Sequence, residues 1–223
     1  MISKIKKFFS NQTGQSLLEL IVAMAIINVG LFAVWALFLS NFSGEQEAKA
    51  RIVGVNLARE GVEAVKNIRD SNWLRLEDNK RCGQNLCSWD YGLVGPGGDD
   101  TAILVDLFET SGEARLDFGP DSLNDNSTKI FIDQSLAKGF FIQHPSGSAQ
   151  TGQPTIYRRL ITLDDICCSD INGDGDCDDN AFKACSETTG SLKVGLEVSS
   201  RVQWLLNGKS REVVAEDHLF NWK

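Results

Sequence analysis

Residues 17–39 read LLELIVAMAIINVGLFAVWALFL: 23 residues holding one charge, Glu19, and one amide, Asn28. At about 1.5 Å per helical residue the run covers roughly 35 Å, enough to cross a bilayer core of about 30 Å with some tilt. A soluble domain has no use for it. The preceding tail, MISKIKKFFSNQTG, carries Lys4, Lys6 and Lys7 and no acid. The positive-inside tendency keeps that tail in the cytoplasm and sends the rest of the chain out. Glu19 is the anomaly. A carboxylate in a membrane span costs about 2.5–3.5 kcal/mol at the centre and less near the end. Such a group needs a partner. None lies within the span, and the three lysines stand 12–15 residues away.

A basic leader ending in Gly14, a Glu five residues later and an unbroken apolar helix behind it resemble the class III signal of type IV prepilins and of type II secretion pseudopilins. The stretch AREGVEAVKNIRDSNW, residues 58–73, resembles the helix end of minor, PilV-like pilins. The resemblance implies cleavage between Gly14 and Gln15 by a membrane prepilin peptidase, with methylation of the new amine. It implies that Glu19 pairs with the terminal amine of a neighbouring subunit during assembly. The partner missing from the span then comes from another chain. Two features depart from the bulk fibre subunit: Gln15 stands where Phe is usual, and the span has no Pro, with Ala at position 36. Both fit a minor subunit better.

Two plainer readings compete. An ordinary secretory signal places its apolar core before the cut; here Gly14 precedes the core. A simple single-span anchor leaves Glu19 without a purpose.

The 223 residues, less leader and anchor, suffice for one globular domain of ordinary size. Net charge is −8, and loss of the lysine-bearing leader makes the remainder more acidic. With no basic run outside the leader, a nucleic-acid-binding face is not expected. Cys82, Cys87, Cys167, Cys168, Cys177 and Cys185 all lie beyond the span. An even number of cysteines in an exported region reads as disulfides. Six cysteines allow 15 pairings. Cys82 with Cys87 is the easiest local pair, and the other four can close two loops around an acidic segment. Zinc is the rival, but no C-x-x-C spacing occurs and the chain has only two His.

Beyond the span, Ala48, Ile52, Val55, Ala58, Val62, Val65 and Ile68 recur at spacings of three and four. That is an amphipathic helix continuing the apolar one. Asp70–Ser71–Asn72 predicts its end, since short polar side chains compete for the backbone. One helix from about 16 to 70 follows. Gly30, Gly44, Gly54 and Gly61 each weaken it by about 1 kcal/mol relative to Ala; they serve flexing or close contact, or are merely tolerated. Residues 71–100 read as loop. Short strands are predicted at Ala102–Phe108, Glu113–Phe118, Lys129–Asp133 and Gly139–Gln143. Thr155–Leu163 is strand-like with no clear buried face. Leu192, Val194, Leu196 and Val198 alternate with Lys193, Gly195 and Glu197, the period of a half-buried strand. A bend at Ser199–Ser200 leads into Val202–Leu206. Asn207–Gly208 signals a hairpin returning through Arg211–Ala215, and the aromatic C-terminus docks on the fold.

The segment Asp164–Asp179 holds seven aspartates and no basic residue. Asp170, Asn172 and Asp174 have the alternate spacing of a calcium loop, with Gly175 at the sharp turn. This resembles the EF-hand and dockerin loop. Asp176 offers its carbonyl at position seven. Ala181 stands where a bidentate acid belongs, and Asp178 or Asp179 substitutes. The competing reading is a solvated acidic loop held by Cys167, Cys168, Cys177 and Cys185. Catalytic templates fail. Gly208–Lys209–Ser210 lacks the upstream Gly of a phosphate loop and falls in a hairpin turn. No G-x-S-x-G occurs. His144 and His218 stand in no nucleophile context.

The expected fold is α+β: a long N-terminal membrane-spanning helix whose C-terminal half packs on an antiparallel sheet. The expected organisation is leader 1–14, membrane and assembly half 15–40, amphipathic half 41–72, and an extracytoplasmic β-rich domain 73–223 with a cysteine-rich acidic loop at 164–185. The expected function is structural, not enzymatic: a minor pilin or pseudopilin of the inner membrane, with C-terminal domain outside. Its expected partners are prepilin peptidase, the assembly platform, membrane lipid and other pilin subunits, with Ca²⁺ as a cofactor. The alternative is a membrane-anchored calcium-dependent adhesion module.

Overall fold

The computed structural model describes residues 17–77, 81–82, 85–86, 88–105, 114–133, 139–145, 147–170, 177, 183–185 and 191–221. One helix, α1, runs Leu17–Glu77. By internal contacts the chain divides into two units, Met1–Lys49 and Ala50–Lys223, so α1 contributes to both. After it come β1 (Arg81–Cys82), β2 (Asn85–Leu86), β3 (Thr101–Val105), β4 (Arg115–Phe118), β5 (Lys129–Asp133), β6 (Phe140–Ile142), β7 (Gln153–Ser169), β8 (Lys183–Ala184), β9 (Ser191–Leu206) and β10 (Lys209–Phe220). The main sheet is antiparallel in the order β10-β9-β7-β3-β4, with β5 and β8 also paired to β7 and β6 to β5. This is the α+β layout expected, a long helix followed by an antiparallel sheet.

The helix passes through its predicted stop. Asn72 is 1% exposed and spends its amide on the following loop, donating from Nδ2 to Trp89 O at 3.1 Å and Tyr91 O at 2.8 Å. A side chain engaged that far away does not compete for its own helical backbone. Arg69 is buried; its Nε donates to Asp70 Oδ1 at 3.0 Å and its guanidinium lies 4.7 Å from the Trp73 ring centroid. The predicted loop 71–100 therefore begins as helix, and β1 and β2 form a small hairpin within it.

The strands also outrun the sequence reading. β7 extends through Asp164 and Asp165 to Ser169, because β9 pairs with it from Tyr157↔Trp204 to Ser169↔Ser191, with one register shift between Ile166 and Cys167. The bend predicted at Ser199–Ser200 is absent; β9 runs straight through, with Ser200 opposite Ile161 on one side and Ala215 on the other. The predicted hairpin forms, with φ of 51° at Asn207 and 72° at Gly208, the positive values that such a turn requires. β10 continues to Phe220, and Leu219 is buried in the core.

From Ala50 onward α1 packs on the sheet. One cluster joins Val62 and Val65 to Leu104, Ile161, Leu163, Leu196, Val198 and Leu219; the other joins Ala50, Leu57 and Ala58 to Ile130, Tyr157, Val202 and Trp204. The buried stripe keeps Ala58, Val62 and Val65 of the predicted set and departs from it at its start. Ile52 is 62% exposed and Ala48 also lies outside, while Ala50, Gly54, Leu57 and Gly61 are buried. Small residues face the sheet because the backbones approach closely. A Cβ at Gly54 meets the Trp204 ring at 2.7 Å, and one at Gly61 overlaps the Ser200 hydroxyl; neither Gly30 nor Gly44 has anything within 4 Å. Close contact is thus the role of two of the four helix glycines. The closeness has a cost. Ser200 Oγ and Trp204 Nε1 are sealed without hydrogen-bond partners among the described residues, at about 1–3 kcal/mol for each such group.

The helix-facing side of β7, which the sequence left open, carries Tyr157, Arg159, Ile161 and Leu163. Arg159 is 1% exposed. Its Nε donates to Gln143 Oε1 at 2.9 Å, and its Nη1 to Leu57 O at 3.1 Å and Glu60 Oε2 at 3.0 Å. Gln143 Nε2 in turn donates to Thr128 O and Arg159 O, both at 2.9 Å. Tyr157 donates its hydroxyl to Ala50 O at 3.0 Å. Two β7 side chains thus bond carbonyls of α1.

Two tests follow, read by thermal unfolding of the full chain in detergent. Gly61→Ala is expected to destabilise by about 1–3 kcal/mol through overpacking, while Ser200→Ala, which removes an unpartnered hydroxyl, is neutral or stabilising. In the Ser200→Ala background the cost of Gly61→Ala shrinks; an undiminished cost argues against that contact. Arg159→Ala is expected to cost about 3 kcal/mol or more. Glu60→Gln costs less, about 1.5 kcal/mol, since it removes the counter-charge of a buried guanidinium but keeps an acceptor on a side chain that is 49% exposed. Equal losses would contradict this asymmetry.

Candidate functional site

The candidate site is the first half of α1. Every large apolar side chain from Leu17 to Leu39 is at least 48% exposed, and the helix is long and apolar enough to cross a membrane. Such a surface is suited to lipid or to other apolar helices. Glu19 lies in the first turn of α1 as described, where the positive end of the helix dipole favours a carboxylate by about 0.3–1 kcal/mol. That is less than the cost of placing the charge in a membrane, so the need for a partner stands. Glu19 makes no ion pair among the described residues. Gly14 and Gln15 lie outside the described residues. Asn28 satisfies part of its amide locally, donating from Nδ2 to Met24 O at 2.9 Å.

The second sequence-predicted feature is the acidic segment. Cys167 is joined to Cys185 and Cys168 to Cys177, with Cα–Cα distances of 4.8 and 5.6 Å. These four cysteines are therefore disulfide-bonded rather than thiolate ligands. The two bridges are nested, and both start from adjacent residues of β7. Cys87 and the side chain of Cys82 lie outside the described residues, as do Asn172, Asp174, Asp176, Asp178 and Asp179. Among the described residues no group of three or more His, Cys, Asp or Glu is placed to hold a metal.

The segment is less uniformly acidic than its sequence suggests. Lys193 on β9 pairs with Asp165 Oδ1 at 2.8 Å and with Asp90 Oδ2 at 2.9 Å, and lies 5.5 Å from the Trp89 ring centroid. β7 pairing with β9 brings this cation alongside, a long-range neighbour that local composition hides. The Asp164 carboxyl has no such relief. Burial pushes its pKa up, and the nearby charges of Asp100, Glu197 and Asp165 add to the rise.

The histidines have structural surroundings. His144 Nε2 lies 2.8 Å from Thr151 O and 3.1 Å from Thr151 N, and its ring meets Phe131 edge-on at 5.2 Å. His218 Nε2 lies 3.8 Å from Glu197 Oε1. The sequence reading missed Arg159 and Gln143 because both look like ordinary surface polar residues. The one available signal was Arg159 falling in phase with Tyr157 and Ile161.

Residues 9–35 match the family described as the prokaryotic N-terminal methylation motif. Comparison with curated proteins and with solved structures returned no match. The matched region covers the end of the basic leader, Gly14, Glu19 and more than half of the apolar run, the residues on which the resemblance was based. Over these residues the chain carries the class III prepilin signal of type IV pilins, and its long apolar helix leading into an antiparallel sheet fits a pilin-like layout.

Proposed function

We propose that this chain is a minor pilin or pseudopilin, a structural subunit of a type IV pilus or of a type II secretion-like pseudopilus. The observation that carries the reading is a methylation motif spanning residues 9–35 on a helix whose apolar half is exposed throughout. The precursor sits in the inner membrane with the lysine-bearing leader inside and the β-rich domain outside. Prepilin peptidase cuts after Gly14 and methylates the amine of Gln15. An assembly platform then draws the helix out of lipid into a fibre core. There the Glu19 carboxylate meets a neighbour's terminal amine, and the charge that was costly in lipid is compensated. The work of the subunit is packing, and the energy of extraction comes from a motor outside this chain. A simple anchored adhesion module requires neither the cut nor Glu19.

Calcium joins this proposal at the acidic loop. Its support is the D-x-N-x-D-G spacing of Asp170–Gly175 within the loop closed by Cys168–Cys177. That bridge reduces the ordering entropy that cation binding must offset.

Mass spectrometry of the N-terminus tests the main reading: the mature chain is expected to begin at Gln15 and to carry a methyl group. Gly14→Val leaves an uncut precursor in the membrane. Glu19→Ala spares the cut but reduces incorporation into fibres; a mature chain still starting at Met1 would end the reading. For calcium, millimolar Ca²⁺ is expected to raise the melting temperature of the oxidised full chain, and Asp174→Ala to abolish the rise. Absence of any binding heat with the disulfides intact retires that part alone.

A further inference from the structure

Asn28 sits at the middle of the apolar run, twelfth of its 23 residues. A primary amide offers two N–H groups and a carbonyl with two lone pairs. The structure uses one donor, Nδ2 to Met24 O at 2.9 Å. The Oδ1 atom accepts no hydrogen bond among the described residues. Acyl chains supply no donor at that depth, so an open amide there is satisfied by protein.

The position of Asn28 on the helix identifies a separate surface. From Glu19 to Asn28 is nine residues, about two and a half turns, so the two side chains leave opposite sides of α1. Ala23, Ile26, Gly30, Ala33 and Leu37 lie on the Glu19 side. Ile21, Met24, Leu31 and Trp35 lie on the Asn28 side. A neighbour that neutralises Glu19 cannot also reach Asn28. The span therefore has two polar contacts on opposite sides of the helix, facing two different neighbours.

We propose that the Asn28 face is the docking surface for a second copy of this membrane helix, with the two Asn28 amides hydrogen-bonded to each other. Two observations select that occupant. An amide is both donor and acceptor, so it is complementary to itself. Two copies of one chain also insert with the same orientation, which brings their Asn28 residues to the same depth. A different partner needs a polar group of its own at that level. The flanking Trp35 and Met24 supply the packing that interhelical contacts in lipid depend on. The inference needs only that residues 17–39 span a bilayer; it concerns the face opposite the Glu19 contact and does not require a fibre.

The test uses the full chain in phosphatidylethanolamine–phosphatidylglycerol vesicles with no other protein present. A photo-crosslinking residue replaces Trp35 in one variant and Ala33 in another, and energy transfer between labelled copies gives an independent reading. The expected result is a crosslinked dimer from position 35 and little from position 33. Asn28→Leu, which makes the span more apolar and keeps it inserted, lowers dimer yield and energy transfer roughly three- to tenfold. Asn28→Gln restores them, and Glu19→Gln leaves them unchanged. Dimers indifferent to Asn28→Leu, dimers formed equally from both faces, or adducts to lipid alone overturn the proposal. Those results leave N-terminal cleavage and Glu19-dependent fibre incorporation to be judged separately.

Discussion

One helix must satisfy two surroundings. Up to Lys49 the side chains of α1, Glu47 apart, are exposed; from Ala50 on, a stripe of them is sealed against β-strands. The second half works because its backbone comes close to the sheet, and Gly54 and Gly61 make that approach possible. The cost is visible in the same contacts, where Ser200 and Trp204 bury polar atoms without partners. Glycine within a helix is unfavourable by about 1 kcal/mol. The energy recovered by bringing Val62, Val65, Ile161 and Val202 out of water, at about 25 cal/mol per Å², outweighs it.

Close packing alone does not define where a helix sits along a sheet. The polar bonds at this interface do. Arg159 reaches Leu57 O and Glu60, and Tyr157 reaches Ala50 O. Acceptor carbonyls seven residues apart along the helix, met by donors two residues apart on β7, fix the register more tightly than apolar contact, which tolerates sliding. The guanidinium also needs Gln143, itself tied to backbone carbonyls of two separate segments. The network is a polar peg inside an apolar joint, and every donor described in it has an acceptor.

The two ends of the functional reading rest on different physics. In the N-terminal half, the medium decides: a span of apolar side chains with one acid and one amide makes each polar group informative, because lipid compensates neither. In the globular half, long strands decide. β7 carries the two disulfides that enclose the acidic segment, and β9 brings Lys193 to Asp165. The Asp165 charge, which looks unrelieved in a linear reading, is relieved by a neighbour almost thirty residues away in sequence.

The apolar run and the N-terminal methylation motif were legible from the sequence because both are properties of a local stretch of chain. So were the Asn207–Gly208 hairpin and the alternation of β9, since turn and strand periodicity are properties of neighbouring residues. Tertiary structure alone decided the rest. The helix outran Asp70–Ser71–Asn72 because Asn72 found acceptors 17 and 19 residues away. The stripe kept Ala58, Val62 and Val65 but left Ile52 outside and took in Gly54 and Gly61, because Trp204 and Ser200 of the sheet come too close there for a side chain. Strand β7 ran on through its aspartates because β9 was there to pair with it. In each case the deciding partner lay outside any local window, which is why the residues themselves did not announce it.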